Sequence, residues 1–216
     1  MEEVIIRRYA QRDRDFVREI AWETAFMGKP ASIFFEDKEL LADFLTLYFT
    51  DYEPGSCFVA EENDKVIGYL IGAKDTAILK KVFDFKISWR LFLGIFTKGV
   101  LFEKKNIIFF LHCVMSFFKG EFKSPDLSKD YPATLHINLN EGSRGLGIGS
   151  RLINTYLKYL TQEKIPGVHL ATISEDSRPF FFKQGFHLVY RGQRSYFHYL
   201  LKKDMPIYIF GKRLFE

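Results

Sequence analysis

The sequence predicts an α/β (α+β) fold: a mixed sheet flanked by helices and interrupted by a helical insertion. Three observations predict it. Segments of period-two and of helical periodicity follow the order β-α-α-β-β-(insert)-β-α-β-α-β-β. Strands and helices alternate regularly only in the second half, which argues against a regular doubly wound sheet. A glycine-rich turn, Glu141-Gly142-Ser143-Arg144-Gly145-Leu146-Gly147-Ile148-Gly149, joins the clearest strand to the clearest amphipathic helix.

The elements follow in order. Val4-Ile5-Ile6-Arg7 reads as an opening strand. Residues 13–27 form a helix, with Phe16, Val17, Ile20, Ala21 and Thr24 on one face, and Gly28-Lys29-Pro30 ends it. A second helix covers 37–49, with Leu40, Leu41, Phe44, Leu45 and Tyr48 as its stripe. Residues 57–61 and 66–72 flank Glu62-Asn63-Asp64-Lys65 as a β-hairpin. Residues 73–130 are aromatic and helical and are read as an insertion or lid, too small to hold a core of their own. In 131–140, Leu135, Ile137 and Leu139 face one way, and His136, Asn138 and Asn140 the other. After the glycine turn, Ile148, Leu152, Ile153, Tyr156, Leu157 and Leu160 mark a helix. A strand at 168–173 and a short helix at 174–184, closed by Gly185, come next. Residues 187–191 and 196–202 read as final strands, and 207–210 as an added edge.

The 216 residues suffice for one well-buried domain, 1–216, and are short for two. At 47% hydrophobic and 27% charged, the chain is globular. A net charge of +4 suits an anionic ligand, and no Lys/Arg run is long enough for a nucleic-acid stripe. No nucleic-acid partner is expected. Cys57 and Cys113 make neither a disulfide framework nor a metal site, so a reducing cytoplasm and no metal are expected. Met1-Glu2-Glu3 carries no basic n-region of a signal peptide. Many of the 24 Phe fall between Phe83 and Phe122, yet the run 107–118 is shorter than the ~20 residues a membrane span needs. No integral membrane segment is expected. Packing into the fold accounts for this stretch, with contact at a membrane surface as the alternative.

A strand, a glycine turn and an amphipathic helix together build a phosphate site. The first helical N–H groups lack internal partners, and the helix dipole adds partial positive charge. Two familiar loops do not fit. A P-loop needs Lys-Ser/Thr after its last glycine, where Ser150-Arg151 stands. The dinucleotide fingerprint fails because Gly149 comes one residue early.

The stretch does match Arg/Gln-x-x-Gly-x-Gly/Ala after a strand, as Arg144-Gly145-Leu146-Gly147-Ile148-Gly149. Downstream, Gly167-Val168-His169-Leu170 precedes a short helix ending Phe180-Phe181-Phe182-Lys183-Gln184-Gly185-Phe186. These segments and the element order resemble the GNAT superfamily of N-acetyltransferases over most of the chain, outside 73–130. Leu135-His136-Ile137-Asn138-Leu139, the Gly-Val-His-Leu strand and the insert are similar to the acetyltransferase-like domains related to the C-terminal part of O-GlcNAcase.

The resemblance implies a GNAT-like, mostly antiparallel twisted sheet and direct transfer of acetyl from acetyl-CoA to a primary amine. The acceptor would be a small molecule, a peptide or a protein, and the enzyme a monomer or homodimer. It implies that Arg144, Gly145, Leu146, Gly147, Ile148, Gly149 and Ser150 cradle the pyrophosphate, with Ile137 and Leu139 on the pantetheine arm. The family's usual acid is a Tyr on the short helix, and Phe181 stands there. The common Asn and Ala of that helix fall on Ser174 and Ser177. Ser177 and Tyr190 are the substitute acids, with solvent as the other route. For the base, His136 is the first candidate, because an unperturbed imidazole titrates near neutrality. A sheet-bound structural histidine is an equal reading. Glu61 and Glu62 are the runners-up, against the plainer reading of a solvated turn. A catalytically inactive CoA-binding or interaction module is the alternative function.

Overall fold

The computed structural model describes residues 4–215. Met1-Glu2-Glu3 lies outside the described residues. Seven strands form one sheet: β1 (Ile5–Arg8), β2 (Phe58–Glu62), β3 (Lys65–Ala73), β4 (Ala133–Leu139), β5 (Gly167–Thr172), β6 (His187–Arg194) and β7 (Met205–Arg213). Their spatial order is β1-β2-β3-β4-β5-β7-β6. Every neighbouring pair is antiparallel except β4–β5. The mixed, mostly antiparallel sheet is therefore as expected.

Helices cover both faces. α1 (Arg14–Thr24) buries Val17, Ile20 and Ala21 against Val59, Tyr69 and Ile71. The α2 helix (Lys38–Leu47) starts where Asp37 accepts the Leu40 amide at 2.7 Å, an N-cap bond. On the opposite face, α6 (Ile148–Gln162) packs Leu152, Ile153, Tyr156 and Leu160 on Leu70, Leu135, Leu170 and Phe210. Each such apolar side chain contributes roughly 1.5–3 kcal/mol when fully buried. Tyr156 also donates to the Thr134 carbonyl at 2.9 Å and the Ala73 carbonyl at 3.3 Å, bridging β4 and β3.

The insert at 73–130 is helical over 76–118, as expected: α3 (Thr76–Val82) passes through a π-helical segment (Phe83–Ile87) into α4 (Ser88–Thr97), and a short 3-10 turn (Val100–Phe102) leads to α5 (Lys104–Phe118). They leave the sheet after β3 and re-enter at β4, which pair directly with each other. Leu91, Ile95, Phe109 and Phe110 pack on a cluster containing Phe26, Phe34, Phe35 and Phe197. Buried Asn106 fastens the insert, donating to the Val100 carbonyl at 3.0 Å and accepting from the Glu36 amide at 2.9 Å. Glu121 anchors its end through Ser116 and the Ser195 amide, the latter at 2.6 Å.

Three expectations are corrected. Residues 196–202 are not a strand. They turn into the short helix α8 (His198–Leu201), because Phe197 inserts into the aromatic cluster, edge-on to Phe26 at 4.9 Å. Residues 207–210 are not an edge: β7 lies between β5 and β6, and its buried Ile207, Tyr208, Ile209 and Phe210 fit an interior strand. The short helix after β5 is also later than expected, as α7 (Arg178–Lys183).

Candidate active site

The site begins at a break in the sheet. The parallel pairing of β4 with β5 holds only at Ala133–Val168 and Thr134–His169. Beyond it β4 stays with β3 through Leu139, and β5 stays with β7 through Thr172. Between the diverging strands lies a cleft of ≈ 950 Å³. Both β4 from Leu135 to Leu139 and β5 from Leu170 to Thr172 line it. An unpaired strand edge offers backbone donors and acceptors to an extended ligand.

The glycine turn closes one end. Gly145 and Gly147 both take φ +79, a conformation that favours glycine. A Cβ built at either would meet no atom within 4 Å, so backbone conformation, not crowding, selects glycine there, and the space before the turn is open. Gly147 is the N-cap of α6. The amides of Ile148, Gly149 and Ser150 then form its first turn, where no intrahelical acceptor exists. Gly149 packs against Phe180: a Cβ there would lie 3.2 Å from that ring. Gln184 at the end of α7 donates to the Ser150 hydroxyl at 2.9 Å, and Lys212 donates to the Gln184 carbonyl at 2.6 Å. The open turn, bare amides and helix dipole suit a phosphate-bearing ligand.

Arg144 lines the cleft, but its guanidinium already bonds the Leu139 carbonyl at 3.3 Å and the Gly28 carbonyl at 3.1 Å. It thereby ties the turn to the end of α1, where Met27 and Gly28 are left-handed.

The sequence-derived candidates separate in the structure. Ile137, Leu139, Arg144, Gly145, Gly147, Gly149, Ser150, Ser177 and His136 all line the cleft. Leu146 and Ile148 do not: the Leu146 side chain is exposed, and that of Ile148, at the start of α6, is buried in the core. Glu61, Glu62 and Tyr190 are not part of the cleft wall. Glu61 is ion-paired to Arg7, which also holds Asp13 at 2.6 Å, because β1 brings Arg7 beside it. Glu62 ends β2 opposite Lys65. The Tyr190 hydroxyl reaches the Lys123 carbonyl at 3.4 Å.

His136 is half-buried in the cleft wall, and burial pulls its pKa down to about 4. Its Nε2 is 3.5 Å from the Asn138 amide nitrogen, which in turn donates to the Tyr69 hydroxyl at 2.9 Å. The imidazole is therefore neutral at pH 7, an acceptor of modest basicity. Ser177 bonds Thr172 at 3.0 Å and donates to the Ser174 carbonyl at 2.9 Å. Phe181 is buried among Phe180, Phe186 and Phe210, with its edge at the cleft. Burial pushes the Cys57 thiol up to about 12 and that of Cys113 up to about 11, so neither is a thiolate nucleophile. Among the described residues, no cluster of three or more His, Cys, Asp or Glu is placed to hold a metal.

Sequence reasoning missed Asp176 and Tyr196, which line the cleft, and the α1 end. Burial raises the Tyr196 hydroxyl to about 12, so it keeps its proton at neutral pH. The α1 end had a signal in Gly28, whose φ is +87. Tyr196 had none, because its reading as a strand residue hid the turn.

No protein-family model matches the chain. Among solved structures the chain is similar to SsHAT, at 24% identity and TM-score 0.74 over 99% of this chain and 100% of that one. It is similar to a polyamine N-acetyltransferase of Drosophila melanogaster that catalyses the formation of N-acetylagmatine, at 14% identity and TM-score 0.60 over 98% and 100%. A GNAT superfamily phosphinothricin acetyltransferase from Sinorhizobium meliloti, in complex with AcCoA, shares 14% identity and TM-score 0.57 over 97% and 88%. The splayed sheet, the glycine turn into a helix and these likenesses agree: the chain has the fold of the GNAT N-acetyltransferases.

Proposed function

We propose that the chain is an acetyl-CoA-dependent N-acetyltransferase acting on a primary amine. The observation that carries this reading is the divergence of β4 from β5, with the glycine turn and the bare start of α6 at one end of the gap. The amides of Gly145, Gly147, Gly149 and Ser150 would hold the pyrophosphate, and the free β4 edge at Ile137 and Leu139 the pantetheine arm. The bound co-substrate supplies an acetyl thioester, which a neutral amine opens with release of the thiolate.

The chain's own residues then handle one proton. His136, unprotonated at neutral pH, accepts the proton that the amine loses. Asn138 and Tyr69 hold the ring's surroundings fixed. At the position expected for an acid, Phe181 offers no proton. Tyr196 and Ser177 are two of the hydroxyls in the cleft wall, beside those of Thr24, Ser150, Thr172 and Ser174, and Tyr196 retains its proton. Tyr190, bound toward Lys123, is not positioned for this step.

Phe181 favours a second reading: a GNAT-fold module that binds CoA without turnover. Release of CoA thiol, followed across small amines, polyamines and peptides, separates the two. Turnover above the rate of thioester hydrolysis with any amine supports the enzyme. CoA binding without turnover on the whole panel supports the module.

A further inference from the structure

The insert turns apolar side chains both inward and outward. On α4, Leu91 and Ile95 face the aromatic cluster of the fold. Trp89, Phe92, Leu93 and Phe96 recur at helical spacing on the exposed side, with Trp89 62% and Phe96 60% exposed. On α5, Phe109 and Phe110 face the same cluster. Leu111, Val114, Met115 and Phe118 form its exposed stripe, and Phe118 is 83% exposed. Phe102, in the turn between the helices, is 89% exposed. Trp89 stacks on Phe92 at 5.7 Å, and Phe92 contacts Phe96 at 4.8 Å, so the α4 stripe is a continuous aromatic surface. A helix on a solvated surface carries charge on its outer face. Contiguous apolar surface of this kind marks an interaction site.

Charge decides the partner. Residues 76–123 hold nine Lys or Arg against three Asp or Glu, a net +6. The rest of the chain holds 22 basic and 24 acidic residues, a net −2. All of the chain's positive excess therefore lies in the segment that carries the exposed aromatics. Arg90, Lys98 and Lys105 pair with Asp43, Asp37 and Glu36 of the fold, and the remaining cations still outnumber the segment's acids, so a second copy would set like charge against like. An anionic lipid surface instead answers both features: it attracts Lys and Arg and takes Trp, Phe and Leu into its headgroup region. The helices have 10 and 15 residues, too short to cross a bilayer, and so would lie in its plane.

We propose that α4, α5 and the turn between them dock the protein on an anionic membrane surface, with Trp89, Phe96, Phe102 and Phe118 inserted among the lipids. The test uses the full chain and vesicle flotation, comparing phosphatidylcholine with mixed phosphatidylcholine/phosphatidylglycerol vesicles. Retention on the anionic vesicles should exceed that on the neutral ones by roughly tenfold or more. Trp22 is buried and Trp89 exposed, so quenching by brominated lipid reads Trp89. Phe96→Ser with Phe118→Ser should cut retention on the order of tenfold while the melting temperature stays unchanged. Lys81→Glu with Lys104→Glu should cut it on anionic vesicles alone. Absence of retention on anionic vesicles overturns the proposal, as does retention that ignores the Phe96/Phe118 variant. Sedimentation showing a dimer that this variant disrupts, with no lipid retention, also overturns it and assigns the face to a second copy.

Discussion

Gly147 has two constraints on it at once. Its φ of +79 penalises any side chain, and its position at the start of α6 faces open space where an anion would sit. Gly147→Glu places strain of roughly 1–2 kcal/mol and a negative charge in the cradle. Acetyl-CoA affinity should fall by more than about tenfold, read by calorimetric titration, while far-ultraviolet dichroism stays native. His136 invites a pH experiment. With its pKa at about 4, kcat at saturating amine should show no inflection from this residue near the ordinary histidine value, and an acid limb only near 4. His136→Gln should lower kcat by on the order of 10²–10⁴ without weakening acetyl-CoA binding. An unchanged kcat removes His136 from the proton step. Phe181, by contrast, is a core residue: Phe181→Ala should cost about 3–5 kcal/mol in urea denaturation.

At the scale of elements, one joint backs the site. β3 and β4 are locked by Tyr156, and a Cβ on Gly72 would lie 2.3 Å from its hydroxyl. Gly72→Ala should destabilise the fold by roughly 1–3 kcal/mol, measured as a lowered denaturation midpoint. Much of this level was legible in the sequence. The alternation in 131–140 set Leu135, Ile137 and Leu139 on one face and His136, Asn138 and Asn140 on the other; the structure puts the first three in the core with α6 and His136 and Asn138 beside each other, with Asn140 beyond the strand end. The glycine spacing marked the turn because only a few residues tolerate its dihedrals. Pairing partners were not legible. Nothing near Glu61 in the chain announces Arg7, which arrives across the β1–β2 register. Residues 196–202 read as a strand, yet Phe197 is claimed by Phe26 and Phe34 from the first fifth of the chain. Long-range packing overrode local pattern there.

For the whole molecule, burial of histidines couples stability to pH. Burial holds both His136 and His169 below the ordinary histidine pKa of 6.5. The unfolded chain then binds more protons than the folded one in that window, so stability rises with pH. Their contribution is fully present above 6.5 and is lost as pH falls through the folded values, about 4 for His136. The melting temperature should fall across this interval, and His136→Gln should flatten the slope. No helix among the described residues is long and apolar enough to cross a membrane.

The gap between β4 and β5 is the proposed acetyl-CoA site. Its most direct measurement is calorimetric titration of acetyl-CoA into the full chain, with Gly147→Glu beside it. Saturable binding at one site per chain, lost in the variant, is the expected result. Absence of binding by the folded wild-type protein, or equal binding by the variant, would contradict it.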